Sequence, residues 1–131
     1  MEKSIDIQSN IRNICEIEYF LKRIFNTLHF SRKKYCKMYL SVNEAVTNAI
    51  IHGNHSDNSK NVHVDFIENE LQYIIKITDE GKGFDYKNLK DPTSEKNLYK
   101  ESGRGVFIMN QYADLVIYNE KGNTVTLIFN K

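Results

Sequence analysis

Three clusters in this sequence carry residue types able to do chemistry. The first is Glu44-Ala45-Val46-Thr47-Asn48. Residues four apart on a helix share a face, which sets Glu44 beside Asn48. A carboxylate next to an amide can hold a divalent cation or orient a hydroxyl for deprotonation. Taken alone the pair is read more simply as a solvated polar face. The second cluster is Asp79-Glu80-Gly81-Lys82-Gly83. Asp79 continues the parity of Leu71, Tyr73, Ile75 and Ile77, so it is expected on the buried side of a strand. A carboxylate there needs a partner. Either it caps local backbone amides or it takes hydrogen bonds from a ligand such as an amino-purine. Gly81 and Gly83 permit positive φ and close approach of backbone to a flat ring, although a structural turn explains the motif equally well.

The third cluster is Ser102-Gly103-Arg104-Gly105, ahead of a helical pattern. Amides at a helix start favour an anion, phosphate above all, and Arg104 can add a charge-assisted contact. The segment lacks the Gly-Lys-Ser/Thr ending of a P-loop and the third glycine of a dinucleotide fingerprint. His52 and His55 have His-x-x-His spacing but no further ligands at zinc-site intervals. Arg32-Lys33-Lys34 is read as a solvated basic run. Cys15 and Cys36 follow no pattern and are expected as reduced, partly buried thiols.

The elements that must position these clusters follow from periodicity. Ile14, Ile17, Leu21, Ile24, Phe25 and Leu28 recur at three and four, predicting a helix over 11–28. Ser31 is the expected N-cap of a second helix, whose apolar stripe runs Tyr35, Met38, Tyr39, Val42, Ala45, Val46 and Ala49. That helix should reach about His52, with Gly53 as its stop signal. Glu44 and Asn48 are expected nearly opposite its stripe. The period then changes to two. Val62, Val64 and Phe66 form one strand and Leu71 to Ile77 another, joined by Glu68-Asn69-Glu70 as an antiparallel hairpin. Residues 86–102 are polar, hold the single proline (Pro92), and are expected as a mobile loop. A helix over 105–112 follows, then strands Leu115–Tyr118 and Thr124–Phe129 around the turn 120–123. A short strand at Ile5–Ile7 is weakly indicated. The fold expected is α+β, a two-layer sandwich with helices on one face of a mostly antiparallel or mixed sheet.

Composition limits the function classes. The chain has 131 residues, room for a single domain over 1–131, with 40% hydrophobic and 27% charged residues, an ordinary globular balance. Eighteen basic against seventeen acidic residues give a net charge of +1, no electrostatic signature of nucleic-acid binding. No apolar run approaches a membrane span, and the first residues have no signal-peptide character. A cytoplasmic location without membrane contact is expected.

In order along the chain stand a helix bearing Glu and Asn, a strand ending Asp-x-Gly-x-Gly, a polar loop, and Gly-x-Gly entering a helix. That succession resembles the GHKL, or Bergerat-type, ATP-binding domain over residues 40 to 130. Within it, residues 43–53 (Asn43-Glu44-Ala45-Val46-Thr47-Asn48-Ala49-Ile50-Ile51-His52-Gly53) and 103–109 look like the anti-sigma-factor serine/threonine kinases. The resemblance implies Asn48 as the ligand of Mg²⁺ on the ATP phosphates and Glu44 as the base for a substrate serine or threonine. It implies Asp79 as acceptor for the adenine amino group, Gly81 and Gly83 as the adenine wall, and Gly103, Arg104 and Gly105 at the phosphates. Its expected partners are an antagonist protein, a sigma factor, or both, with the chain a homodimer. The alternative is a non-catalytic module that senses ATP and binds its partner according to nucleotide state.

Overall fold

The computed structural model describes residues 1–82 and 108–131. Gly83, the expected loop 86–102, Gly103, Arg104, Gly105 and the start of the 105–112 helix lie outside the described residues.

Period-two alternation gives the sheet one apolar face. Strands β2 (Asn61–Glu68) and β3 (Gln72–Thr78) pair antiparallel, with Val64 opposite Ile77 and Phe66 opposite Ile75. The last strand, β5 (Thr124–Asn130), continues those rows on the other side of β3. It sets Val125 beside Ile77, Leu127 beside Ile75 and Phe129 beside Tyr73. Strand β4 (Leu115–Tyr118) flanks β5, and β1 (Glu2–Gln8) flanks β2. The order is β1-β2-β3-β5-β4, with every pairing antiparallel. Apolar residues aligned across strands in this way form the core surface of the sheet.

Helices cover that surface. A 3₁₀ turn (Ile11–Ile14) leads into α1 (Cys15–Leu28), which buries Ile17, Leu21 and Ile24. Helix α2 (Arg32–Asn48) buries Met38, Val42, Ala45 and Val46. Ser31 caps it as expected, its Oγ accepting from the Lys34 amide at 3.1 Å. Both helical stripes join the inward-facing sheet residues in one core, the expected α+β two-layer arrangement. Among the described residues no helix is long and apolar enough to cross a membrane.

Four local features differ from the sequence expectations. β1 pairs along its whole length, from Glu2 opposite Ile67 to Gln8 opposite Asn61, and is not confined to Ile5–Ile7. Backbone pairing with β2 extends it through Glu2, Lys3, Ser4 and Gln8, which no apolar alternation marks. Leu71 is 75% exposed because it belongs to the hairpin turn, where Asn69 Oδ1 accepts from the Leu71 and Gln72 amides. Cys15 and Cys36 are exposed, not partly buried; both stand off the helical stripes that face the core. Finally, α2 relaxes into a π-helical turn, Ala49–Gly53, closed by the Asn54 amide on the Ala49 carbonyl at 2.8 Å.

On the outer face of the sheet, His63 links the edge strand to its neighbour. Its Nδ1 lies 2.7 Å from Asp6 Oδ1 and its Nε2 2.9 Å from Asp65 Oδ1. These carboxylates, Asp6 first, hold the imidazole pKa above its ordinary 6.5. The stabilisation is therefore complete below pH 6.5 and is lost as pH rises through the raised value. At such exposed positions it amounts to no more than about 1 kcal/mol. Thermal unfolding of wild type and Asp6→Asn between about pH 5 and 9, a range that spans histidine titration, should show the gap widest at the acid end and closing toward the alkaline end. A pH-independent gap would contradict this origin.

Candidate functional site

At the end of α2 the chain makes contacts that exclude side chains. A Cβ on Gly53 would fall 2.3 Å from Asp79 Oδ2, and one on Gly81 only 2.1 Å from the Gly53 carbonyl oxygen. Neither glycine is needed for positive φ, which among the described glycines belongs to Gly122 alone. What presses on Gly81 is the chain's own backbone. The π-helical turn carries Gly53 to this position by widening the last turn of the helix.

Asp79 sits between these glycines, half-buried, just beyond the end of β3. Its Oδ1 accepts from the Gly81 amide at 2.8 Å. Its own amide donates to the Asn123 carbonyl at 2.9 Å, and its carbonyl accepts from Asn123 Nδ2 at 3.1 Å. Among the described residues Oδ2 has no hydrogen-bond partner. Burial pushes the Asp79 pKa up, against the pull of the Gly81 amide, Lys121 and His55. Of the two readings of this carboxylate, the structure shows the local cap. One oxygen caps a local amide and the other remains available to a donor.

Asp79 faces a cavity of about 140 Å³ between α2, the sheet and the helical segment 108–112. Ala45, Ala49, Ile77, Met109 and Val125 make it largely apolar, while Asn48, Asp79 and Thr124 contribute polar groups. An apolar slot with a few convergent polar groups is the usual form of a small-molecule site. Thr124 Oγ1 donates to Thr78 Oγ1 at 3.2 Å, fixing this edge of the cavity to β3. Tyr118 closes another side, and burial raises its phenol pKa, so it stays protonated.

The structure therefore brings Asn48 and Asp79 to one cavity, with Gly81 packed behind Asp79. Asn48 is partly buried beside Ala45 and Ala49, not on a face opposite the stripe. The helical angle sets residues 45, 48 and 49 side by side, and the cavity borders that flank. Glu44, one turn earlier, is partly buried but is not among the lining residues. His52 lines the cavity mouth and His55 stands beyond it in a left-handed conformation.

Sequence reasoning missed Asn54. This side chain is fully buried, accepts from the Glu80 amide at 2.7 Å, and donates to Ser9 Oγ at 2.8 Å and the Asn61 carbonyl at 2.9 Å. Its only sequence signal is a polar residue directly after the helix-stopping glycine, where exposure is the ordinary expectation. Tyr118, Asn123 and Thr124 were likewise unmarked, because a β-turn and strand pattern carries no sign of a cavity.

Comparison with known proteins shows the family. A family described as the histidine kinase-like ATPase domain matches residues 7–129. The chain belongs to the histidine kinase-like ATPase domain family. Among similar members is the serine-protein kinase RsbW of Staphylococcus aureus strain MSSA476, 30% identical over 98 residues, or 67% of this chain and 60% of the relative. RsbW of strains MW2 and JH9 matches to the same extent. The chain thus spans about 60% of the length of these curated relatives. In this histidine kinase-like ATPase domain, Asn48 at the end of α2 and Asp79 after β3 line one cavity.

Two stability outcomes follow for this domain. Gly81→Ala should destabilise more than Gly53→Ala, because a new methyl meets backbone in the first case and a rotatable Asp79 side chain in the second. Overpacking of this kind costs about 1–3 kcal/mol, and chemical denaturation should rank the two variants in that order. Equal midpoints would contradict the close-approach account. Because the Asp79 pKa is raised on folding, its ionisation destabilises the free protein as pH rises from the ordinary 3.8 through the raised value. Asp79→Asn should therefore melt higher than wild type at neutral pH, and the gain should vanish in acid.

Proposed function

We propose that the cavity binds ATP and that the chain is a protein serine/threonine kinase acting as an anti-sigma factor or partner-switching regulator. The observation that carries the nucleotide half is the Asp79 carboxylate, half-buried against an apolar slot with Oδ2 open to a donor. An adenine presents such a donor in its amino group and an apolar ring for the walls formed by Ala49, Ile77 and Met109. Membership of the ATPase domain family and similarity to serine-protein kinases support the same reading.

Roles follow from chemistry and position. Asp79 binds the base, and Gly81 keeps its carboxylate turn tight against Gly53. The Asn48 amide oxygen, at the cavity wall, is of the hard-oxygen type that suits Mg²⁺. Bound there, Mg²⁺ would supply charge neutralisation for the phosphates. Glu44, on the same side of α2, would take the proton of a substrate hydroxyl as the γ-phosphorus–oxygen bond to ADP breaks and the bond to the Ser or Thr Oγ forms. The protein substrate would be an antagonist protein, with a sigma factor as second partner and a homodimer as the working unit.

A second reading, ATP sensing without transfer, is favoured by one observation: Glu44 is absent from the cavity lining. The two separate on Glu44→Ala. A kinase should lose transfer of labelled γ-phosphate to an antagonist protein by about 10²–10⁴-fold, the usual contribution of a positioned base, while keeping its ATP affinity. A sensor should show nucleotide-dependent partner binding that survives the substitution, with no labelling even by wild type.

The base assignment has its own test. Asp79→Asn should lose ATP affinity, and wild type should reject GTP by several orders of magnitude, up to about 10⁴–10⁵ in favourable sites built around one exocyclic group. Equal affinities for ATP and GTP, measured by calorimetry, would refute it.

A further inference from the structure

The Asp79 turn is held by more than its own capping bond. Four chain segments converge on Asn54: the π-helical turn through its backbone, the β1 end through Ser9, the β2 start through Asn61, and the Asp79–Gly81 turn through Glu80. The side chain is fully buried and uses its amide completely, with Oδ1 on the Glu80 amide and both Nδ2 hydrogens on acceptors. Its orientation is fixed by its neighbours, since the Glu80 N–H must meet an oxygen and the Asn61 carbonyl must meet an N–H. Ser9, also fully buried, passes the chain on, its Oγ donating to the Lys60 carbonyl at 2.8 Å. The Glu80 carboxylate ties the same turn to β2 by accepting from the Asn61 amide. A buried network satisfied at every member has a single arrangement.

We infer that Asn54 is a positioning residue for the Asp79 carboxylate, acting through the Glu80 amide. Glu80 is the residue next to Asp79, so the bond from its amide to Asn54 sets where the peptide leaving Asp79 lies. Gly53, the residue before Asn54, abuts the carboxylate from the other side. Asn54 therefore fixes both walls of the carboxylate's seat, one through its side chain and one through its backbone. The functional half of this inference rests on the proposed adenine contact; the geometric half does not. A carboxylate allowed to swing out of this seat would still be present but would no longer present Oδ2 to the cavity, and small misplacements of a recognising group are costly.

The test uses the full chain as wild type, Asn54→Ala, Asn54→Asp and Ser9→Ala. Two readouts are followed: NMR titration of the Asp79 carboxyl carbon in the free protein, and the ratio of GTP to ATP dissociation constants. In Asn54→Ala the Asp79 midpoint should fall toward that of an ordinary carboxylate, and discrimination between the bases should drop at least about tenfold, the scale of one lost hydrogen bond to a charged or buried group. Asn54→Asp keeps an oxygen for the Glu80 amide while losing the N–H that meets the Asn61 carbonyl. It should retain the wild-type base discrimination. Because its added carboxylate raises the Asp79 midpoint whatever the role of residue 54, only discrimination is read in this variant. Ser9→Ala removes an acceptor of Nδ2 and the donor to the Lys60 carbonyl but no bond to the Asp79 turn; it should melt lower yet leave both readouts unchanged. A merely structural role would lower melting in all three while leaving the readouts of the folded proteins alone. A wild-type Asp79 titration in folded Asn54→Ala would overturn the inference. Should that variant fail to fold, the decision passes to hydrogen exchange of the Glu80 amide in wild type. That amide should be protected as long as the central amides of β3, and exchange by local opening would overturn the inference equally. If wild type binds neither nucleotide, the proposed function fails, while the Asp79 titration still decides the role of Asn54.

Discussion

The site depends on one steric constraint: a Cβ on Gly81 would strike the Gly53 backbone, and one on Gly53 would strike the Asp79 carboxylate. With those two positions bare, the end of α2 and the turn after β3 touch backbone to backbone, and Asp79 is caught between them. A side chain on Gly81 would force these two backbone segments apart, and one on Gly53 would displace the Asp79 carboxylate. The constraint explains why a helix that packs normally through Val46 ends in a π-helical turn. An ordinary α-helical continuation would carry residue 53 along a different direction.

Around that contact the fold supplies a rigid frame. The rows Val64–Ile77–Val125 and Phe66–Ile75–Leu127 lock three central strands in register. A one-residue slip would turn each apolar residue outward, so the register is strongly specified. Because β3 and β5 are fixed in this way, Asn123 arrives beside Asp79 and holds it from both backbone groups. The β4–β5 turn is itself closed by Asn119 Oδ1, which accepts from the amides of Gly122, Asn123 and Thr124. Polar side chains thus do at the sheet edge what apolar rows do in its middle.

Much of this was legible in the sequence. The helical stripe from Met38 to Ala49, the Ser31 cap and the alternation of β2, β3 and β5 are local signals with local causes. The parity of Asp79 with Ile75 and Ile77 correctly placed it on the inner side. Other features depend on contacts distant in sequence. Leu71 obeys the same parity yet belongs to a turn, and β1 owes its length to pairing with β2. Asn54 binds Ser9 and Glu80, far from it along the chain, and no periodicity records such a bond. The helical wheel put Asn48 opposite the buried stripe because it assumes a single packed face. Here the flank beside the stripe borders a cavity.

A half-buried carboxylate whose burial raises its pKa weakens the free fold, a trade met at functional sites. The account's central claim is that this carboxylate belongs to a nucleotide pocket between α2 and the sheet. Its most direct test is backbone and side-chain amide chemical-shift mapping on titration with Mg-ATP. The account predicts perturbations gathered at Asn48, Gly53, Asp79, Gly81, Thr124 and Met109. Shifts confined to the cleft between β1 and α1, around Lys3, Phe20 and Arg23, or no shifts at all in the folded protein, would contradict it.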